Sequence, residues 1–184
     1  MPNTTDNFNI PFLDGTELVR DYPTFSESLA EAIDAGLSGA AGVLQVVSTT
    51  KNDTFTTTSG THVDITGFSL SITPSSTTSK VLLFVTVGAV DNLSTVAANT
   101  IQVLRDSTAV GVASSSAANG AFHVNPGADR ASSIAWSFYD SPNTVSAITY
   151  KVQAKTTGGT FLLNRNVPNS QFAVSTITAL EVAS

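Results

Sequence analysis

The sequence predicts an all-β fold, an antiparallel β-sandwich or jelly roll, preceded by a short extended arm and one α-helix. Three observations carry that prediction. After Gly42, β-branched and aromatic residues come in short runs bounded by Ser, Thr, Asn, Gly and Pro. Charged residues make up only 12% of the chain, about half of the roughly 25% typical of soluble domains, and Ser and Thr are abundant after residue 45. The runs number ten or eleven, too many for one small flat sheet but suited to two packed antiparallel sheets.

Length and charge set the outer bounds. The 184 residues hold one ordinary domain plus a small extra element, and bury a core without disulfides or metals. The absence of cysteine excludes disulfide staples, thiolate metal sites and cysteine nucleophiles. No apolar run reaches 18 residues, and Met1 is not followed by a basic stretch leading into an apolar one, so neither membrane insertion nor a secretory signal is expected. The net charge of -6 is unevenly placed. Residues 1–40 hold Asp6, Asp14, Glu17, Asp21, Glu27, Glu31 and Asp34 against Arg20 alone, whereas the acidic and basic residues of the remainder balance. Such an acidic segment points to docking on a basic surface and away from nucleic acid.

In chain order, residues 1–40 read as an acidic anchor arm. Asn9–Gly15 is an extended piece closing in a turn, because Pro11 fixes its φ and Asp14-Gly15 favours positive φ. Phe8, Ile10, Phe12 and Leu13 have no local apolar partner there. A helix over about 25–37 follows, with Thr24-Phe25-Ser26-Glu27 as a capping box, Phe25, Leu29, Ile33 and Leu37 recurring every four residues, and a stop at Gly36–Gly39. So short a helix needs a partner for its stripe.

Residues 43–184 form the sandwich. Strands are expected near 43–50, 54–58, 61–73, 80–88, 99–105, 108–114, 120–124, 131–139, 147–156, 160–164 and 171–183. Val63, Ile65, Phe68, Leu70 and Ile72 alternate once a bulge at Gly67 is allowed, which implies a strand wet on one face. The unbroken run Val81–Val85 reads as a central strand or an oligomer interface. Arg105–Thr108 reads as a hairpin loop, Lys155–Thr160 as another, and Ser114–Asn119 and Asn125–Arg130 as exposed loops.

Catalytic chemistry finds little support. His62 and His123 stand in or at the edge of strands, and no Gly-x-Ser-x-Gly elbow is present. Paired carboxylates for glycoside cleavage are scarce, since Glu181 is the only glutamate beyond residue 40. Asp64, Asp91, Asp106, Asp129 and Asp140 are isolated, at turns or strand ends where they bond to backbone. No metal-ligand spacing or phosphate loop appears, so no enzyme activity and no cofactor are expected. Trp136, Phe138 and Tyr139 are the densest aromatic group; they serve either core packing or a sugar-stacking surface.

The segments Asn9–Gly15, Val19–Pro23 and Leu29–Asp34, with Val43–Val47, Ile72–Val81, Tyr150–Gln153 and Ser175–Val182 in the body, resemble tailed-bacteriophage virion proteins of the tail-fibre, minor-tail and head-decoration type. The resemblance implies a non-enzymatic structural protein of a virion, a homotrimeric β-sandwich head akin to trimeric jelly rolls of the tumour-necrosis-factor-like kind, and an N-terminus attached to the particle. It transfers no catalytic residue. On this reading Phe8, Ile10, Phe12, Leu13, Asp14, Glu17 and Asp21 dock on the capsid, portal or tail, and Phe25, Leu29, Ile33 and Leu37 pack between subunits. Two alternatives stand beside it: a receptor- or glycan-binding fibre domain using Trp136, Tyr139, Asn119 and Asn125, and a capsid cement protein.

Overall fold

The computed structural model describes residues 3–4, 11–12, 22–38, 42–93, 97–112, 122–124, 131–165 and 173–183. The chain divides into two compact units, Met1–Gly42 and Val43–Ser184. In the first, β1 (Asn3–Thr4) pairs antiparallel with β2 (Pro11–Phe12), and α1 spans Tyr22–Ser38. The helix begins before the predicted capping box. Its first turn holds Pro23, whose fixed φ and missing N–H suit that position, so Thr24 lies inside the helix and is not its cap. Glu27, Glu31 and Asp34 are exposed, while Leu29 and Ala32 are half-buried.

The second unit is a two-sheet antiparallel sandwich. Its strands are β3 (Val43–Lys51), β4 (Phe55–Thr57), β5 (Val63–Ile72), β6 (Lys80–Asn92), β7 (Asn99–Arg105), β8 (Thr108–Val110), β9 (Phe122–Val124), β10 (Ser132–Asp140), β11 (Ile148–Thr156), β12 (Phe161–Leu163) and β13 (Ser175–Val182). One sheet has the order β3-β13-β6-β12-β4, with β10 also paired to β6; the other has the order β5-β11-β7-β8, with β9 also on β7. Every predicted strand has its counterpart.

Side-chain alternation builds the core. From β6, Val81, Leu83, Val85 and Val87 face inward, meeting Ile177 and Ala179 of β13 on the same sheet. From the other sheet come Ile65, Phe68, Leu70 and Ile72, Ile101 and Val103, and Tyr150, Val152 and Ala154. Gly67 has φ +75°, and the β5–β11 register slips beside it, so the inward set changes parity between Ile65 and Phe68. That is the expected bulge.

Two local readings are corrected. Arg105 and Thr108 are paired strand residues, and the turn between them is Asp106-Ser107. Asp106 adopts φ 54°, which an Asp tolerates better than a branched residue, and its Oδ1 accepts from Thr149 N at 2.9 Å. The Lys155–Thr160 segment is not a hairpin: it carries the chain from β11 in one sheet to β12 in the other.

Polar side chains tie the sheets at both ends of β6. At its C-terminal end the buried Asn92 donates through Nδ2 to Asn99 Oδ1 at 2.7 Å and Thr156 Oγ1 at 2.9 Å, reaching β7 and β11. At its N-terminal end, Asp140, opposite Val81, accepts from Arg105 Nη1 at 2.7 Å and from Tyr150 OH at 2.6 Å. A third knot sits at Asn164, fully buried with φ 58°. Its Nδ2 donates to the carbonyls of Lys51 and Asp53 at 2.9 and 3.0 Å, and its Oδ1 accepts from Ser175 Oγ at 2.6 Å.

Two stability predictions follow from this packing. Asn164→Ala removes the donor to the two carbonyls and the acceptor of the Ser175 hydroxyl, and should lower unfolding free energy by about 2–4 kcal/mol, read from the urea midpoint. Gly88→Ala should destabilise by about 1–3 kcal/mol in the same assay, because a Cβ there meets the backbone of Val174 and the side chain of Ala173.

Candidate interaction surface

The two outer faces of the sandwich differ in chemistry. On the six-stranded sheet, the residues alternating away from the core include Val46 of β3, Leu180 of β13, Leu82 of β6 and Tyr139 of β10. Val46 lies opposite Leu180, Leu180 opposite Leu82, and Leu82 opposite Tyr139, so the four form one apolar row across four strands. Val46 is 58% exposed and Tyr139 65%. Phe84 (45% exposed) lies one row along, and Leu44 (51%) extends the patch along β3.

Hydroxyls border that row. Ser48, Thr178 and Ser137 share the Phe84 row, with Ser48 Oγ and Thr178 Oγ1 2.8 Å apart; Thr50, Thr176 and Thr86 form the next. Among these outward positions Lys80 alone carries charge, at the rim, where its Nζ donates to Ser141 Oγ at 2.8 Å.

The outer face of the second sheet is polar. Lys151 Nζ and Gln153 Nε2 both donate to Asp64, at 2.9 and 2.6 Å, and Gln102 Nε2 donates to Gln153 Oε1 at 2.8 Å. The bond from Gln153, reinforced by Lys151, holds the Asp64 carboxyl below its usual range. Asp64 and Asp140 are therefore ion-pair members, whereas backbone bonding of the expected kind is present at Asp106.

A buried carboxylate underlies one corner of the apolar face. Glu181, fully buried between Leu180 and Val182, accepts from Gln45 Nε2 at 2.6 Å, Ser75 N at 2.6 Å and Ser75 Oγ at 2.7 Å. Burial alone pushes such a carboxyl up; the hydrogen bonds outweigh that and hold it at about 2. They also fasten the β5–β6 connection to β3 and β13. On the other side of Val81, burial and then the bond to Asp140 push the Tyr150 hydroxyl far above its ordinary range, so it stays a donor.

The sites expected from sequence fall unevenly on this frame. Phe8, Ile10, Leu13, Asp14, Glu17, Asp21, Asn119 and Asn125 lie outside the described residues, as do the Ser114–Asn119 and Asn125–Arg130 loops. Phe12 lies in β2, and Phe25 and Leu37 in α1. Leu29 is half-buried and Ile33 is 42% exposed. Trp136 is turned toward the core, its ring 4.8 Å from that of Phe122, which corrects its reading as a receptor-facing residue; Tyr139, of opposite parity, faces out. The run Val81–Val85 is a central strand, flanked by β13 and β10. Sequence reasoning took Leu82 and Phe84 only as part of the Val81–Val85 run, a central strand or an oligomer interface, and did not single out Val46 or Leu180. The available signal was apolar residues at both parities of Val43–Val47 and Val81–Val85. Among the described residues, no cluster of three or more His, Asp or Glu could hold a metal, and no helix is long and apolar enough to cross a membrane.

The Glu181 carboxyl lies well below its ordinary 4.5, so it adds stability above about pH 4.5 that is lost as pH falls toward 2. Glu181→Gln should be less stable than the parent at pH 7, and the gap should narrow through that window when urea midpoints are compared at pH 7, 4 and 3.

No protein-family model matches the chain, and no curated protein does. Among solved structures the chain is similar to the infectious bursal disease virus VP2 subviral particle, at 11% identity and a TM-score of 0.38. The match covers 75% of this chain and 40% of that one.

Proposed function

We propose that this chain is a non-enzymatic structural protein of a tailed-phage particle, in which residues 1–40 dock on the capsid, portal or tail and the sandwich projects as a trimeric head, forming a short fibre or decoration. The observation that carries the reading is the separation of charge from fold. The net charge of -6 belongs to residues 1–40, while the body of the chain is a neutral sandwich tied at both ends. An acidic segment of that kind recognises a basic surface on a larger assembly. The resemblance of the leader and body segments to phage appendage proteins names the assembly.

Glycan recognition is the weaker alternative, because Trp136, its strongest stacking candidate, packs on the core. The cement reading shares the docking arm and differs in what the body does. Deletion of residues 1–40 should abolish incorporation into particles, measured by co-sedimentation, while the remaining chain keeps a β-type circular dichroism spectrum. Incorporation of a folded truncated chain would show that the arm is not the anchor.

A further inference from the structure

We propose that copies of this chain meet through the outer face of the six-stranded sheet, centred on the row Val46, Leu180, Leu82 and Tyr139. This rests on the oligomeric part of the reading above and names the surface and its occupant, a second copy of the same chain; one face stacked on another closes as a pair, so a trimer built on this surface needs each face shared between two neighbours.

Four observations select that occupant. The row is apolar, unbroken across four strands and exposed at its two ends, whereas the opposite outer face is covered by ion pairs and amides. The face is almost free of charge. A partner chosen by charge has nothing to read there, yet two chains of net charge -6 meet on it without opposing carboxylates.

Its polar border consists of serine and threonine hydroxyls, each both donor and acceptor. Such a border is complementary to itself, so a copy satisfies it without a matching pattern of fixed donors and acceptors. Finally, the area suffices. Four strands about 4.8 Å apart and eight residues at about 3.3 Å each give roughly 500 Å² of flat area, hence about 1,000 Å² over two faces, the lower bound for a specific interface. Sheet-on-sheet stacking about 10 Å apart is the ordinary way for such faces to pack.

The test is the solution mass of the full-length chain by light scattering, for the parent and for Val46→Lys, Phe84→Lys and Tyr139→Lys. These side chains are 58%, 45% and 65% exposed, so the sandwich tolerates their replacement. Ser69→Lys, exposed on the opposite sheet, is the control. The parent should have a multiple of the 19.0 kDa chain mass; the three face variants should shift to 19.0 kDa with an unchanged β-type circular dichroism spectrum, and the control should keep the parent mass. A parent of three chains whose face variants remain trimeric overturns this inference and leaves the trimer standing. A two-chain parent split by the face variants upholds the face and overturns the trimer. A monomeric parent overturns both.

Discussion

Everything in the sandwich depends on the demand placed on β6. This strand has neighbours on both edges, and its inward side chains Val81, Leu83, Val85 and Val87 are wholly buried. A strand so placed has its backbone bonds satisfied within the sheet, and its side chains need a second apolar layer. The five-stranded sheet supplies that layer, and polar ties at Asn92 and Asp140 hold the layers in register at the two ends. Apolar contact is non-directional. The hydrogen bonds, by contrast, require particular partners, so they select one alignment of the sheets among those the core alone would accept.

The same strand explains why one outer face is apolar. Leu82 and Phe84 alternate with the core residues and are carried outward by period two. Val46 and Leu180 line up with Leu82 because the β3–β13 and β13–β6 registers set them opposite one another. On the second sheet the corresponding outward positions carry Asp64, Lys151 and Gln153, which water and mutual bonding satisfy. A sandwich with one charged outer face and one apolar, nearly uncharged outer face has a direction, and the charge of residues 1–40 gives the whole chain a second polarity along its sequence.

Much of this was legible in the residues. The parity change around Gly67 was readable because a strand side chain has only two directions to point, so an extra residue leaves an unmistakable shift. The Trp136 and Phe138 pairing on one face was readable for the same reason. Less visible was which face that was: a stacking surface and a core look alike in one strand, and only Phe122 across the structure places Trp136 inward. The turn at Asp106 was placed one residue too wide on each side, since Arg105 and Thr108 have the composition of a loop yet pair as a strand.

By itself, the sequence determined the strands of the sandwich, though not the β1–β2 pair before it, the sandwich class, the position of the helix to within a turn and the segregation of charge, because these rest on periodicity and composition, which are local. Only the tertiary structure decided the partners. Glu181 looked like a lone carboxylate near the end of the chain, and it is a buried acceptor joining segments more than a hundred residues apart. Asn164 and Asn92 carried no signal at all. The apolar row exists only once four distant strands lie side by side, since register between strands is set by the fold of the whole domain and not by any one segment.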